Sequence, residues 1–187
     1  MSASRRRRQA GYTLVELIIA MAIGAMVLGA LTSIVLTTAL STNVATSRVD
    51  ASNQVRSFQL TAYDDMALSS VPTPSGCGTQ LNPCTSEPMV LQGHRVPNLA
   101  TPAPPASYTV TYTWDAAQKT VTRQAAGANR TVAENVTDYR WYVDGSGATQ
   151  EVVVNLTVTI SSYNATYSEM GSFRFWPRAT ATWAAFP

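Results

Sequence analysis

No charged side chain occurs between Glu16 and Arg48, a gap of 31 residues filled largely by apolar side chains as far as Leu40. As a helix, residues 17–40 would rise ~36 Å, enough to cross a hydrocarbon core of ~30 Å. A segment of this kind must be covered by lipid or by other helices, and every other expectation for the chain is built around it. Four consecutive arginines, Arg5 to Arg8, precede it. Their charge should hold the N-terminus in the cytoplasm and send everything after about residue 41 across the membrane. Glu16 stands at the start of the run. A carboxylate costs ~2.5–3.5 kcal/mol at mid-bilayer on insertion scales, so its presence implies a partner charge.

Three readings compete for the segment. A secretory signal would be cut behind its apolar stretch near Ala39 or Ala45, but this run is longer than such signals and starts with an acid. A plain N-terminal anchor accounts for the length and the arginines, yet leaves Glu16 and the preceding Gly11 without a role. The third reading accounts for all of them. The order Arg5–Arg8, Gly11, Tyr12, Glu16, Leu17-Ile18-Ile19-Ala20-Met21 resembles the N-terminus of the type IV pilin-like superfamily, which comprises type IV pilins, type II secretion pseudopilins and competence pseudopilins. The resemblance covers roughly residues 5–35.

That resemblance implies a cleaved leader, residues 1–11, removed by a prepilin peptidase acting between Gly11 and Tyr12. It implies methylation of the new Tyr12 amino group and retention of the apolar helix. It also implies a role for Glu16: its carboxylate would pair with the Tyr12 ammonium of an adjacent subunit, fixing axial register while offsetting both desolvation penalties. Tyr12 departs from the family's more common phenylalanine, and no proline interrupts the chain between Tyr12 and Val71. Gly24 and Gly29 are the weak points of the helix, at ~1 kcal/mol each relative to alanine. The pairs Ala20/Gly24 and Ala25/Gly29 also offer small-residue faces for close packing.

The formal charge of +2 has to be read with the leader in mind. Without Arg5–Arg8, thirteen basic residues become nine against eleven acidic, a net −2. The remaining arginines are scattered and form no basic stripe with interleaved aromatics, so direct nucleic-acid binding is not expected. A part in DNA uptake would arise only at the level of a filament. Cys77 and Cys84, with six residues between them, point to a disulfide in an exported domain. A zinc site would need four ligands, and the chain offers two thiols and the single histidine, His94.

Beyond Leu40, Val44, Ala51, Val55, Phe58, Ala62 and Met66 keep the spacing of one helix face, with Arg48, Asp50, Arg56, Asp64 and Asp65 mostly off it. The expectation is a single helix from about Tyr12 to Leu68. Residues 12–40 would form its transmembrane and assembly part and residues 41–70 an amphipathic continuation, ended by Pro72 and Pro74. Residues 71–106, rich in Pro, Ser, Thr and Gly, read as a disulfide-bearing loop and proline-rich linker. Residues 107–187 read as an antiparallel β domain. In it, residues 108–114 and 119–123 form a hairpin about Asp115-Ala116-Ala117-Gln118. Residues 130–136 and 138–143 form a further pair, with a turn at Asp144-Gly145-Ser146-Gly147. Val152, Val154, Leu156, Val158 and Ile160 face one side of a long strand, and residues 173–176 and 179–183 close the sheet. The aromatics Tyr108, Tyr112, Trp114, Tyr139, Trp141 and Tyr142 read as core and sheet surface.

The fold class expected is therefore α+β and type IV pilin-like: a long N-terminal helix, its first half transmembrane, packed on a C-terminal antiparallel sheet. At pattern level, residues 120–123 and 135–145 resemble the J-type pseudopilins and W-type minor pilins, which implies a minor subunit. No catalytic motif is visible, because His94 has no nucleophile elbow to serve. The turn at 144–147 with Glu151 lacks the alternating ligands of a calcium loop. The expected function is a non-enzymatic, cofactor-free subunit of a type IV pilus, type II secretion or competence filament, anchored in the inner membrane and partnered by prepilin peptidase and other pilin or pseudopilin subunits. The alternative is a membrane-anchored extracellular binding module that never polymerises.

Overall fold

A computed structural model describes residues 13–74, 76–95, 106–146, 149–162 and 165–177. Among these residues one helix, α1 (Leu14–Ala67), is followed by seven strands: β1 (Met89–Arg95), β2 (Ala106–Asp115), β3 (Thr120–Ala125), β4 (Ala128–Ala133), β5 (Val136–Asp144), β6 (Glu151–Ser162) and β7 (Ala165–Phe175). The chain divides into two compact units, residues 1–43 and 44–187, with the boundary inside α1.

In the first unit no described residue is buried, and the helix runs unbroken through Gly24 and Gly29. Large apolar side chains project from every side of it: Leu14, Val15, Leu17, Ile18 and Ile19 are all more than half exposed, as are Leu28 and Leu36. The helix's hydroxyls turn inward on its own backbone. Thr32, Thr37 and Thr42 each donate from Oγ1 to the carbonyl four residues back, at 2.9 Å, so these groups need no water.

In the second unit the later part of α1 buries Ser47, Ala51, Phe58, Ala62, Asp65 and Met66. Phe58 anchors the core. Its ring lies 5.9 Å from Tyr112 on β2, 6.1 Å from Tyr139 on β5 and 5.9 Å from Phe173 on β7. The strands form two antiparallel sheets, ordered β1-β2-β3-β4 and β5-β6-β7, rather than the single sheet expected. The hairpin of β2 and β3 has the expected partners, with Trp114 opposite Val121 and Tyr112 opposite Arg123. Residues 130–136 and 138–143 do not pair with each other. β4 closes the first sheet on β3, and β5 opens the second on β6. Between them Asn135 takes a left-handed φ of 58°, a conformation asparagine tolerates, and the chain passes from one sheet to the other. The junction is stitched by Val136 N–H to the Lys119 carbonyl at 2.8 Å and by Trp114 Nε1–H to the Val136 carbonyl at 3.3 Å.

Two further corrections concern strand extent. Residues 89–95, expected within a loop, form β1. This strand is short and carries Gly93, where a Cβ would run into the Leu68 carbonyl and the Tyr108 ring, so a glycine is what lets the end of α1 lie against it. β7 begins at Ala165, well before the expected residue 173, and pairs with β6 along its whole length. Residues 96–105 of the proline-rich linker and residues 179–183 lie outside the described residues.

One buried position on α1 is ionic. The Asp65 carboxylate accepts a fork of two bonds from Arg123, Nε at 2.5 Å and the terminal nitrogen at 2.8 Å, and a third from the Tyr112 hydroxyl at 2.6 Å. Three donors from β2 and β3 thus satisfy one carboxylate on the helix, the condition under which a buried charge is tolerated. Burial, then the neighbouring Asp65, pushes the Tyr112 hydroxyl well above the ordinary tyrosine range. Hydrogen bonding to Asp65 raises Arg123 further still. Tyr139 is raised by burial alone, and its hydroxyl has no hydrogen-bond partner among the described residues.

Candidate assembly segment and disulfide loop

The start of α1 is built by Thr13 and Glu16. Thr13 precedes the first helical residue, and its Oγ1 accepts the Glu16 N–H at 3.3 Å. The Glu16 carboxylate reaches back to the Thr13 N–H at 3.3 Å and the Thr13 hydroxyl at 3.4 Å. This reciprocal arrangement is a capping box, which satisfies two amides that the first turn leaves open, and it places the negative charge at the positive end of the helix dipole. Thr13-Leu14-Val15-Glu16 carries the signal for it, a T-x-x-E pattern ahead of an apolar run, and gives Glu16 a role within its own helix besides the expected intermolecular one. A carboxylate has room for further donors beyond these bonds, so capping leaves Glu16 able to meet a cation. Gly11 and Tyr12, the expected cleavage and methylation positions, lie outside the described residues.

Cys77 and Cys84 are joined by a disulfide, with their Cα atoms 5.1 Å apart. The bond closes a loop that lies along β5. Cys84 exchanges a reciprocal pair of backbone hydrogen bonds with Trp141, at 2.9 and 3.0 Å, and the Gly78 carbonyl accepts the Val143 N–H at 3.0 Å. Trp141 Nε1–H donates to the Glu87 carbonyl at 3.0 Å. Glu87 also brings a carboxylate oxygen to 2.8 Å from Cys77 Sγ. With both sulfurs committed to each other, the trio Cys77, Cys84 and Glu87 holds no thiolate for a metal. At the other expected turn, Asp144 Oδ1 accepts the Gly145 N–H at 2.9 Å, and Glu151 is engaged by Arg174. The two acids close a hairpin and an ion pair.

A capped, all-round apolar helix continuous with a disulfide-bearing antiparallel β domain defines an α+β protein with a transmembrane-capable N-terminal helix. Residues 6–32 match the family model described as the prokaryotic N-terminal methylation motif, the motif of the type IV pilin-like family. The motif points to a prepilin-processed structural subunit, to processing by prepilin peptidase, to assembly with other pilin subunits and to membrane anchoring. Neither a curated protein nor a solved structure matches the chain.

Proposed function

We propose that the chain is a minor pilin or pseudopilin, cut between Gly11 and Tyr12, methylated at the new Tyr12 amino group, and assembled from the inner membrane into a type IV pilus, type II secretion or competence filament. The observation that carries this reading is the first part of α1, which exposes apolar side chains on every side and is headed by the methylation motif. A helix apolar all round is stable only in lipid or among other helices. Lipid tails are as apolar as leucine, so leaving the bilayer for a helical bundle gains little from hydrophobicity. Specific packing and polar contacts must drive it.

Glu16 supplies the polar contact. Cleavage after Gly11 would create an ammonium at Tyr12, adjacent to the capping box, and the Glu16 carboxylate of a neighbouring subunit would neutralise it in the apolar bundle. A minor rather than major role is supported by the J- and W-type pattern in residues 120–123 and 135–145.

N-terminal mass spectrometry of the protein from cells with and without the prepilin peptidase tests the reading. A chain beginning at Tyr12 only when the peptidase is present supports it. An intact leader, or cleavage near Ala39 or Ala45, overturns it. Paired variants separate capping from register: Glu16→Ala should abolish filament incorporation, whereas Thr13→Ala, which weakens the cap and keeps the charge, should still be incorporated.

A further inference from the structure

The two long edges of the second sheet are finished differently. β7 has no backbone partner beyond β6 among the described residues. On β5, the outward amides of Trp141 and Val143 and the carbonyl of Trp141 are all taken by Cys84 and Gly78. The loop that takes them is no strand of its own. It is an eight-residue ring closed by the disulfide, tightened by Gly78 N–H to the Asn82 carbonyl at 2.8 Å and by Asn82 Nδ2–H to the Gly76 carbonyl at 2.9 Å.

We propose that the Cys77–Cys84 disulfide is a redox lock on the β5 edge: oxidised, it holds the loop over Trp141 and Val143, and reduced, it releases them to pair with the β5 edge of a second copy of this chain. An open edge presents unpaired N–H and C=O groups in register, a template for strand addition. Two identical edges meet antiparallel about a two-fold axis, so a second copy is the partner that needs no further complementarity. In the reduction, a dithiol reagent donates two electrons and two protons. The Sγ–Sγ bond breaks, Cys77 and Cys84 become thiols, and the reagent becomes its cyclic disulfide. Combined with the function proposed above, in which the domain crosses to an oxidising compartment, the edge stays open before translocation and closes after it.

The test uses the full chain in detergent micelles, oxidised or treated with dithiothreitol, and does not depend on filament membership. In the chain-entropy model a ring of this size constrains the open loop by a factor on the order of 50. Amide exchange at Trp141 and Val143 should therefore accelerate about 50-fold on reduction, while Val154 and Leu156 in the interior of β6 keep their protection. The reduced protein should also associate with rising concentration. Val143→Pro removes an outward donor without touching the β6 ladder and should abolish that association. A Cys77→Ser/Cys84→Ser double variant should reproduce the reduced state without reagent. Unchanged exchange at Trp141 and Val143 in both the reduced protein and the double variant would overturn the proposal, as would association that Val143→Pro leaves intact.

Discussion

The two ends of α1 obey the same backbone rules and meet opposite surroundings. Residues 14–46 expose leucine, isoleucine and valine on every side, while residues 47–67 hide a narrow stripe beneath two sheets and leave the rest to water. In the second stretch one face is enough, because the chain supplies its own partner. In the first no face is spared, because the partner is lipid or other chains. The difference teaches that secondary structure here is set locally, while the reason for each side chain is set by what lies outside the helix.

Truncation breaks this contrast most sharply. Phe58→Ala should cost about 3–5 kcal/mol of domain stability. Leu28→Ala, a deletion of comparable chemistry at a side chain 66% exposed, should shift the same unfolding curve by less than about 0.5 kcal/mol. Denaturant titration of the full chain in detergent, followed by tryptophan fluorescence, measures both. Asp65→Ala follows closely at about 3 kcal/mol, since it strands the Arg123 guanidinium and the Tyr112 hydroxyl on the helix-facing side of the sheet.

Next comes alkaline pH. Tyr112 and Tyr139 are both held above the ordinary tyrosine value of 10.0 in the folded state. The unfolded chain releases these protons near pH 10 and the folded domain keeps them. Their stabilisation is therefore complete below pH 10 and is lost as pH rises beyond it, at up to about 1.4 kcal/mol per pH unit for each tyrosine. Melting temperature measured from pH 9 to 11 should fall with that slope, and Tyr139→Phe should roughly halve it. The most local effect belongs to the helix start. Thr13→Ala should cost about 1 kcal/mol, confined to the first turn, and appear as faster amide exchange at Val15 and Glu16 with the β domain unmoved.

Much of the architecture was legible because it is written in local periodicity. The 31-residue uncharged gap, the Phe58/Ala62/Met66 spacing, the alternation of residues 108–114 and the valines of β6 each announce their element. The disulfide followed from two cysteines in a segment expected to be exported. Strand partnership was not legible, because alternation says which side chains share a face and nothing about which strand lies alongside. Residues 130–136 therefore read as a strand partnered by 138–143, when the chain at Glu134-Asn135 crosses from one sheet to the other. β1 was hidden by its proline- and cysteine-rich flanks and by Gly93, whose need arises only where α1 ends against it. Asp65 was readable after all: it stands seven residues from Phe58, on the buried stripe, and a charge at such a position calls for a buried cation.

The threonines of the exposed helical segment carry a last consequence. Thr32, Thr37 and Thr42 donate their hydroxyl hydrogens to the helix's own carbonyls, so moving them between an aqueous and an oily medium leaves no donor unpaired. The segment has sharp electrostatic limits at Glu16 and Arg48 and none between them. Within those limits its depth is a soft coordinate, set by a shallow gradient rather than a step.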